Sequence, residues 1–291
     1  MQKTIADWNN YLEAEGKSAE TIRSYVWHVQ KMAARFPGKK PGKYKFGELL
    51  EYIVERKRSG WGDSSRKLSV NAMRSFFLFA VGADKSPAVR LPMPHPKLKA
   101  QRTLTAAQAF AVLSSCDTST ERGQRDLALM CLFMDTGLRN SEVCRLSVAE
   151  VSLTEHNLQT VVKGGNVGRG RFSEYTAMQL RAWLDVRAQV VQPDVPNMFV
   201  SVGGLKPGTA LTPRGLRIVL KKIGAAAGLE KFSPHDLRRT FATLAIRFGA
   251  PTRVVQVAGR WDDLGMLEHY TATLLAEDID PYLPVTRLMG M

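Results

Sequence analysis

The sequence predicts a mainly α-helical protein of two domains that carries one small β-hairpin. Three observations lead there: apolar residues at helical spacing along most of the chain, a proline cluster that divides it, and a Gly-Gly-Asn turn between short apolar arms.

In the N-terminal part, Ile5, Trp8 and Leu12, then Ile22, Val26, Val29 and Ala33, then Leu49, Leu50, Ile53 and Val54 recur at the period of a helix face. Residues 17–19 and 36–45 interrupt that period, and a last helix is expected over about 69–79. Residues 1–90 therefore read as a small helical domain. Pro92, Pro94 and Pro96 follow; each fixes its own φ and lacks a backbone N–H, so residues 91–102 form an extended, stiff linker that no helix can cross. In residues 103–291 helices are expected near 105–115, 124–134, 141–146, 178–190, 213–228, 234–248 and 264–275. Between 158 and 175 the run LQTVVKGGNVGRGRFSEY reads as a β-hairpin around its Gly-Gly-Asn turn.

With 291 residues and 44% hydrophobic content, the chain can bury a core in each of two domains. Its net charge of +14 points to a polyanionic partner, above all nucleic acid. That charge is uneven: residues 1–102 hold 20 Lys/Arg against 9 Asp/Glu, whereas residues 103–291 hold 21 against 18. Arg56, Lys57, Arg58, Arg66, Lys67 and Arg74 lie between and beside the N-terminal helices and are the candidates for backbone phosphate contacts. Cys116, Cys131 and Cys144 are odd in number and lack C-x-x-C spacing, which argues against a disulfide framework or a zinc site. No run of 18 apolar residues and no secretory leader occurs, so a cytoplasmic protein without membrane attachment is expected. A P-loop, an H-E-x-x-H and a paired-carboxylate cluster are also missing, and no cofactor or metal is expected.

Three segments can carry chemistry. In SPHDLRRTFAT, Ser233 is a natural N-cap, Pro234 suits the first helical position and Asp236 completes a capping box, which puts His235 in the first turn of a helix. Arg238 and Arg239 both fall on its side of the helix, and periodicity does not choose between them. An imidazole and a guanidinium at a helix N-terminus make a phosphate cradle. In DTGLRNSEVCRL one helix stops at Thr136-Gly137 and another starts near Asn140, leaving Arg139 at its mouth, with Glu142 one turn on to hold a guanidinium. The third segment, AGRWDDLGMLEHYTATLL, sets Leu267, Tyr270 and Leu274 on one helical face after a Gly-Arg-Trp turn.

Taken together, TGLRNSE, HDLRRTFAT and a Gly-Arg-Trp turn with a tyrosine nine residues on closely resemble the signature of the tyrosine recombinase (phage integrase) family. The resemblance implies an N-terminal helical core-binding domain of SAM-like type and a mixed α/β catalytic domain. It makes Arg139 and Arg238 the two catalytic arginines, His235 the histidine, Trp261 the histidine/tryptophan position and Tyr270 the nucleophile. Lys163, in VVKGGN on the hairpin, matches the family's catalytic lysine. The pattern departs in two places. Arg260 separates Gly259 from Trp261, which leaves open which of the two side chains faces the phosphate, and a valine precedes Lys163 with the following basic residues shifted.

The implied activity is site-specific cutting and rejoining of double-stranded DNA through a 3′-phosphotyrosine, with neither metal nor ATP. Exchange between two duplexes needs four active sites, so a homotetramer on DNA is implied, with the apolar tail 277–291 as a docking element for a neighbouring subunit. The imperfect Gly-Arg-Trp turn points towards a mobile element. The alternatives are a type IB-like topoisomerase and an inert DNA-binding regulator on the same fold.

Overall fold

Trp8 organises the first unit, because its fully buried indole meets Phe76 edge-on at 5.3 Å and stacks with Tyr25 at 6.3 Å. The computed structural model describes residues 1–96, 102–161 and 167–261, and the chain divides into two units, Met1–Lys99 and Ala100–Met291. The first unit holds α1 (Gln2–Ala14), α2 (Ala19–Arg35), α3 (Phe46–Arg58) and α4 (Asp63–Val81). Each buries one stripe: Ile5, Trp8 and Leu12 on α1, Val29 and Met32 on α2, Leu49 and Ile53 on α3, Met73, Phe76 and Phe77 on α4. The Ser18 hydroxyl accepts from the Thr21 N–H at 3.3 Å and starts α2, a cap that contributes about 1 kcal/mol. Helix α4 begins six residues before the expected 69, since its first turns are polar and leave no apolar period to read.

The second unit is built on α6 (Glu121–Thr136), whose run from Leu127 to Phe133 is buried all round, as a helix at the centre of a core must be. Around it lie α5 (Ala106–Ser114), α7 (Asn140–Arg145), α8 (Glu174–Val190), α9 (Pro213–Ala226), α10 (Pro234–Arg247) and α11 (Thr252–Gly259). Thr120, Ser173 and Thr212 cap α6, α8 and α9 by accepting from backbone N–H groups three residues on. An antiparallel sheet of β1 (Val151–Ser152), β2 (Asn157–Val161) and β3 (Val167–Arg171) lies in the order β1-β2-β3, with Asn157 opposite Arg171 and Val161 opposite Val167. The two arms of the expected hairpin are thus present and paired, with a short third strand added in front of them, while its Gly-Gly-Asn turn lies outside the described residues. Helix α11 was not expected from periodicity, and the expected helix over 264–275 falls outside the described residues. Among the described residues no helix is long and apolar enough to cross a membrane.

Candidate active site

The site starts at the corner between α6 and α7. Gly137 ends α6 in the left-handed region at φ 56°, and a Cβ there would lie 2.5 Å from Cδ1 of Phe241 on α10. Only glycine satisfies both the turn and the close approach of α10. The chain then turns into α7, with Arg139 as its N-cap. Glu142, 1% exposed, reaches back: its Oε2 accepts from the Arg139 backbone N–H at 2.8 Å and its Oε1 from the Arg139 Nη1 at 2.7 Å. Burial alone would push the Glu142 pKa up, but the Arg139 N–H and guanidinium, helped by Arg260, outweigh it and hold the carboxyl below its ordinary value. The Arg139 side chain remains 32% exposed, anchored at one edge and accessible at the rest.

Helix α10 supplies the second group. The Asp236 carboxylate accepts from the Ser233 N–H at 2.9 Å and from its hydroxyl at 2.8 Å, and Pro234 follows at the first helical position. His235 is exposed in the first turn. Partial burial of its ring, then the charges of Arg239 and Arg238, hold its pKa below the usual histidine value. The choice between the two arginines is made by geometry. Arg239 turns to Asp236 at 3.3 Å, whereas Arg238, 5% exposed, goes inward and donates from Nη1 to the Gly137 carbonyl and from Nη2 to the Gly259 carbonyl at 2.6 Å.

The end of α11 closes the arrangement. Arg260 takes the left-handed conformation, φ 57°, and turns the chain sharply. The Trp261 ring folds back over Gly259, where a Cβ would sit 1.7 Å from Cζ3 of the indole. Trp261 is 4% exposed; it stacks on Phe241 at 6.2 Å, and the Arg238 guanidinium lies over its ring at 4.3 Å. The Gly259 carbonyl accepts from Arg238, and the next carbonyl, that of Arg260, accepts from the Arg139 Nη2 at 3.5 Å. Two guanidiniums a hundred residues apart in sequence are therefore tied to consecutive peptide groups. Arg139, Glu142, Arg238 and Trp261 are brought together, with His235 one turn from Arg238. Lys163 and Tyr270 lie outside the described residues.

The sequence profile of the phage integrase family matches residues 102–277. The chain belongs to this family, the tyrosine recombinases. Tyrosine recombinase XerA of Thermococcus onnurineus is 28% identical over 274 residues, which cover 93% of this chain and 91% of the relative. Among solved structures, the Tn1549 transposon integrase in complex with transposon right-end DNA superposes with a TM-score of 0.73 at 15% identity, covering 99% of each chain. XerH recombinase bound to a palindromic difH substrate, in its post-cleavage complex, gives 0.71 at 18% identity over 93% of this chain and 80% of the other. The fold is that of solved tyrosine recombinases.

Sequence reasoning passed over one member of this recombinase's site cluster. Spacing offers Arg260 only as a rival to Trp261, yet its side chain, 8% exposed, approaches Glu142 Oε2 at 3.7 Å and shares the carboxylate with Arg139. Nothing in spacing marks a residue whose partners come from four separate segments. In the first unit, Lys57, Arg58 and Lys67 are exposed. Arg56, Arg66 and Arg74 are half-buried and engaged: Arg56 with Glu55 at 2.8 Å and over the Trp61 ring, Arg66 with Asp63, Arg74 with the Leu91 carbonyl at 2.5 Å.

Proposed function

We propose that this recombinase cleaves and rejoins double-stranded DNA at specific sites, with the Tyr270 hydroxyl oxygen attacking the scissile phosphorus. The phosphate's negative charge repels a nucleophile, so the first requirement is fixed positive charge at its non-bridging oxygens. Arg139 and Arg238 meet it, and the observation that carries the proposal is their anchoring to the consecutive carbonyls of Arg260 and Gly259. Preorganised donors of this kind need no rearrangement as charge builds up in the transition state, and losing one typically costs about 100- to 1000-fold in rate.

The phenol has a reference pKa near 10, so forming its anion at pH 7 costs about 4 kcal/mol, a modest demand beside two guanidiniums and a proton acceptor. His235, whose lowered pKa keeps it neutral at pH 7, takes that proton. As the O–P bond to Tyr270 forms, the bond to the 5′-oxygen breaks, and Lys163 gives that oxygen its proton. The ester keeps the bond energy, and a 5′-hydroxyl of another strand reverses the attack. Trp261 contributes as the plate beneath the Arg238 guanidinium, a role its burial and stacking favour over direct donation to phosphate.

Lys57, Arg58 and Lys67 supply sequence-independent affinity from the first unit. Four copies assemble for exchange between two duplexes, the tail 277–291 docking on a neighbour. The test uses a nicked duplex carrying the sequence the protein selects from a randomised pool. Wild type is expected to form a covalent protein–DNA adduct and to exchange strands between two such sites. Tyr270→Phe is expected to bind and form none; an adduct that survives this change overturns the proposal, and relaxation of one plasmid without exchange makes the enzyme a topoisomerase.

A further inference from the structure

Arg260 interrupts the spacing of the family signature, and its surroundings give it work that the two arginines at the phosphate do not perform. Its Nη1 donates to the Ala258 carbonyl at 2.9 Å and to the Arg169 carbonyl of β3 at 3.3 Å. Its Nη2 donates to the Thr136 carbonyl at the end of α6 at 3.1 Å and lies 3.7 Å from Glu142. A Cβ on Gly170 would come within 3.6 Å of Nη1, so β3 rests against the guanidinium. The terminal nitrogens are thus taken up by protein acceptors, and the Nε is buried without a partner. A guanidinium whose two terminal nitrogens face four protein acceptors from four segments is placed to hold those segments together.

We propose that Arg260 is a positioning residue that clasps strand β3, which begins four residues after Lys163 in the sequence, to the Arg139–Glu142 pair. Each segment it joins has a duty at the site: Thr136 precedes the Gly137 carbonyl that holds Arg238, Glu142 orients Arg139, Ala258 precedes the Gly259 carbonyl, and β3 follows Lys163 in the sequence. The left-handed backbone at Arg260, which costs a non-glycine residue about 1 kcal/mol, returns the side chain into this junction. The inference rests on Lys163 as the general acid, because the clasp acts on it through β3.

The experiment compares Lys163→Ala, Arg139→Ala, Arg260→Met and Arg260→Lys on two nicked duplexes: ordinary DNA, and DNA whose scissile 5′-oxygen is replaced by sulfur, a leaving group that needs no proton. Lysine keeps the charge at 260 but offers one nitrogen, which cannot reach β3 and α6 together. Both Arg260 variants are expected to bind DNA normally, to cleave ordinary DNA about 100-fold more slowly, the size of effect a small misplacement produces, and to recover most of that rate on the sulfur substrate as Lys163→Ala does. Arg139→Ala is expected to gain nothing. Loss without sulfur rescue at Arg260, no loss at all, or failure of both variants to fold while Lys163→Ala is rescued overturns the clasp. Failure of Lys163→Ala itself to be rescued removes the underlying general-acid assignment instead.

Discussion

The N-terminal unit keeps its charge at the surface, whereas the second unit takes part of its charge inside. Among the described residues of the first, the buried polar side chains are His28 and Ser69; in the second they include Arg125, Asp126, Glu142, Asp236 and Arg238. Desolvating an ion costs several kcal/mol even after relaxation, so a buried guanidinium needs partners to stay charged. The two sets of buried charges differ in what surrounds them. Arg125 pairs with its neighbour Asp126 and donates to the Val200 carbonyl within the core, a purely structural strut. Arg238 is held by the carbonyls of two glycines that no larger residue could replace, beside an aromatic plate. Burial thus selects the charges worth explaining, and their neighbours separate a local ion pair in the core from a guanidinium that joins three remote segments. The surface charges of the first unit follow a different rule, since exposed lysines act on a polyanion through number and position more than through fixed geometry.

The largest effect expected from this contrast is at Arg238. Lysine there keeps the charge but cannot donate to the Gly137 and Gly259 carbonyls together, and single-turnover cleavage should fall about 100- to 1000-fold with DNA affinity preserved. A fall confined to affinity would put Arg238 with the surface charges. Next comes Glu142→Gln, which removes the shared counter-charge of Arg139 and Arg260; denaturant unfolding should show a loss of about 3 kcal/mol, and an unchanged midpoint would mean the carboxylate does not hold the pair.

In the first unit, replacing the exposed Lys57, Arg58 and Lys67 by alanine should reduce the slope of log affinity against log salt by about 3 while leaving the cleavage rate of bound DNA alone. Arg56, which lies over Tyr52 at 5.1 Å and Trp61 at 5.6 Å, should instead lose about 1 kcal/mol of stability on truncation and shift the slope little. If Arg56 and Lys57 behave alike, exposure is not what separates binding from packing here.

The smallest effect concerns pH. His235 titrates below the ordinary histidine value of 6.5, so the acid limb of the cleavage rate should lie below that pH, and Arg239→Ala, which removes the larger of the two neighbouring charges acting on it, should move the limb upward. Because the folded pKa is depressed, the unfolded chain takes up the proton first as pH falls through 6.5, so this histidine lowers stability on the acid side. A limb that stays in place in Arg239→Ala would show that another group controls it.

Much of this was legible in the chain. Helix α10 announces itself through Ser233, Pro234 and Asp236, and the corner at Gly137 through the change from an apolar run to Thr-Gly. Local signals end there. Periodicity set Arg238 and Arg239 side by side, and only the approach of α6 and α11 drew one of them inward. Helix α11 has no side-chain cap and only eight residues, and β1 has two, too few to show a period. The work of Arg260 was least visible, because its acceptors are backbone carbonyls of remote segments, and every residue type carries a carbonyl.

The most direct measurement traps the covalent complex on a nicked duplex and maps the adducted peptide by mass spectrometry. Nucleotide remnant on Tyr270 is the result the proposed function expects. A remnant on any other side chain, or stable DNA binding with no covalent product under conditions where the fold is intact, would contradict it.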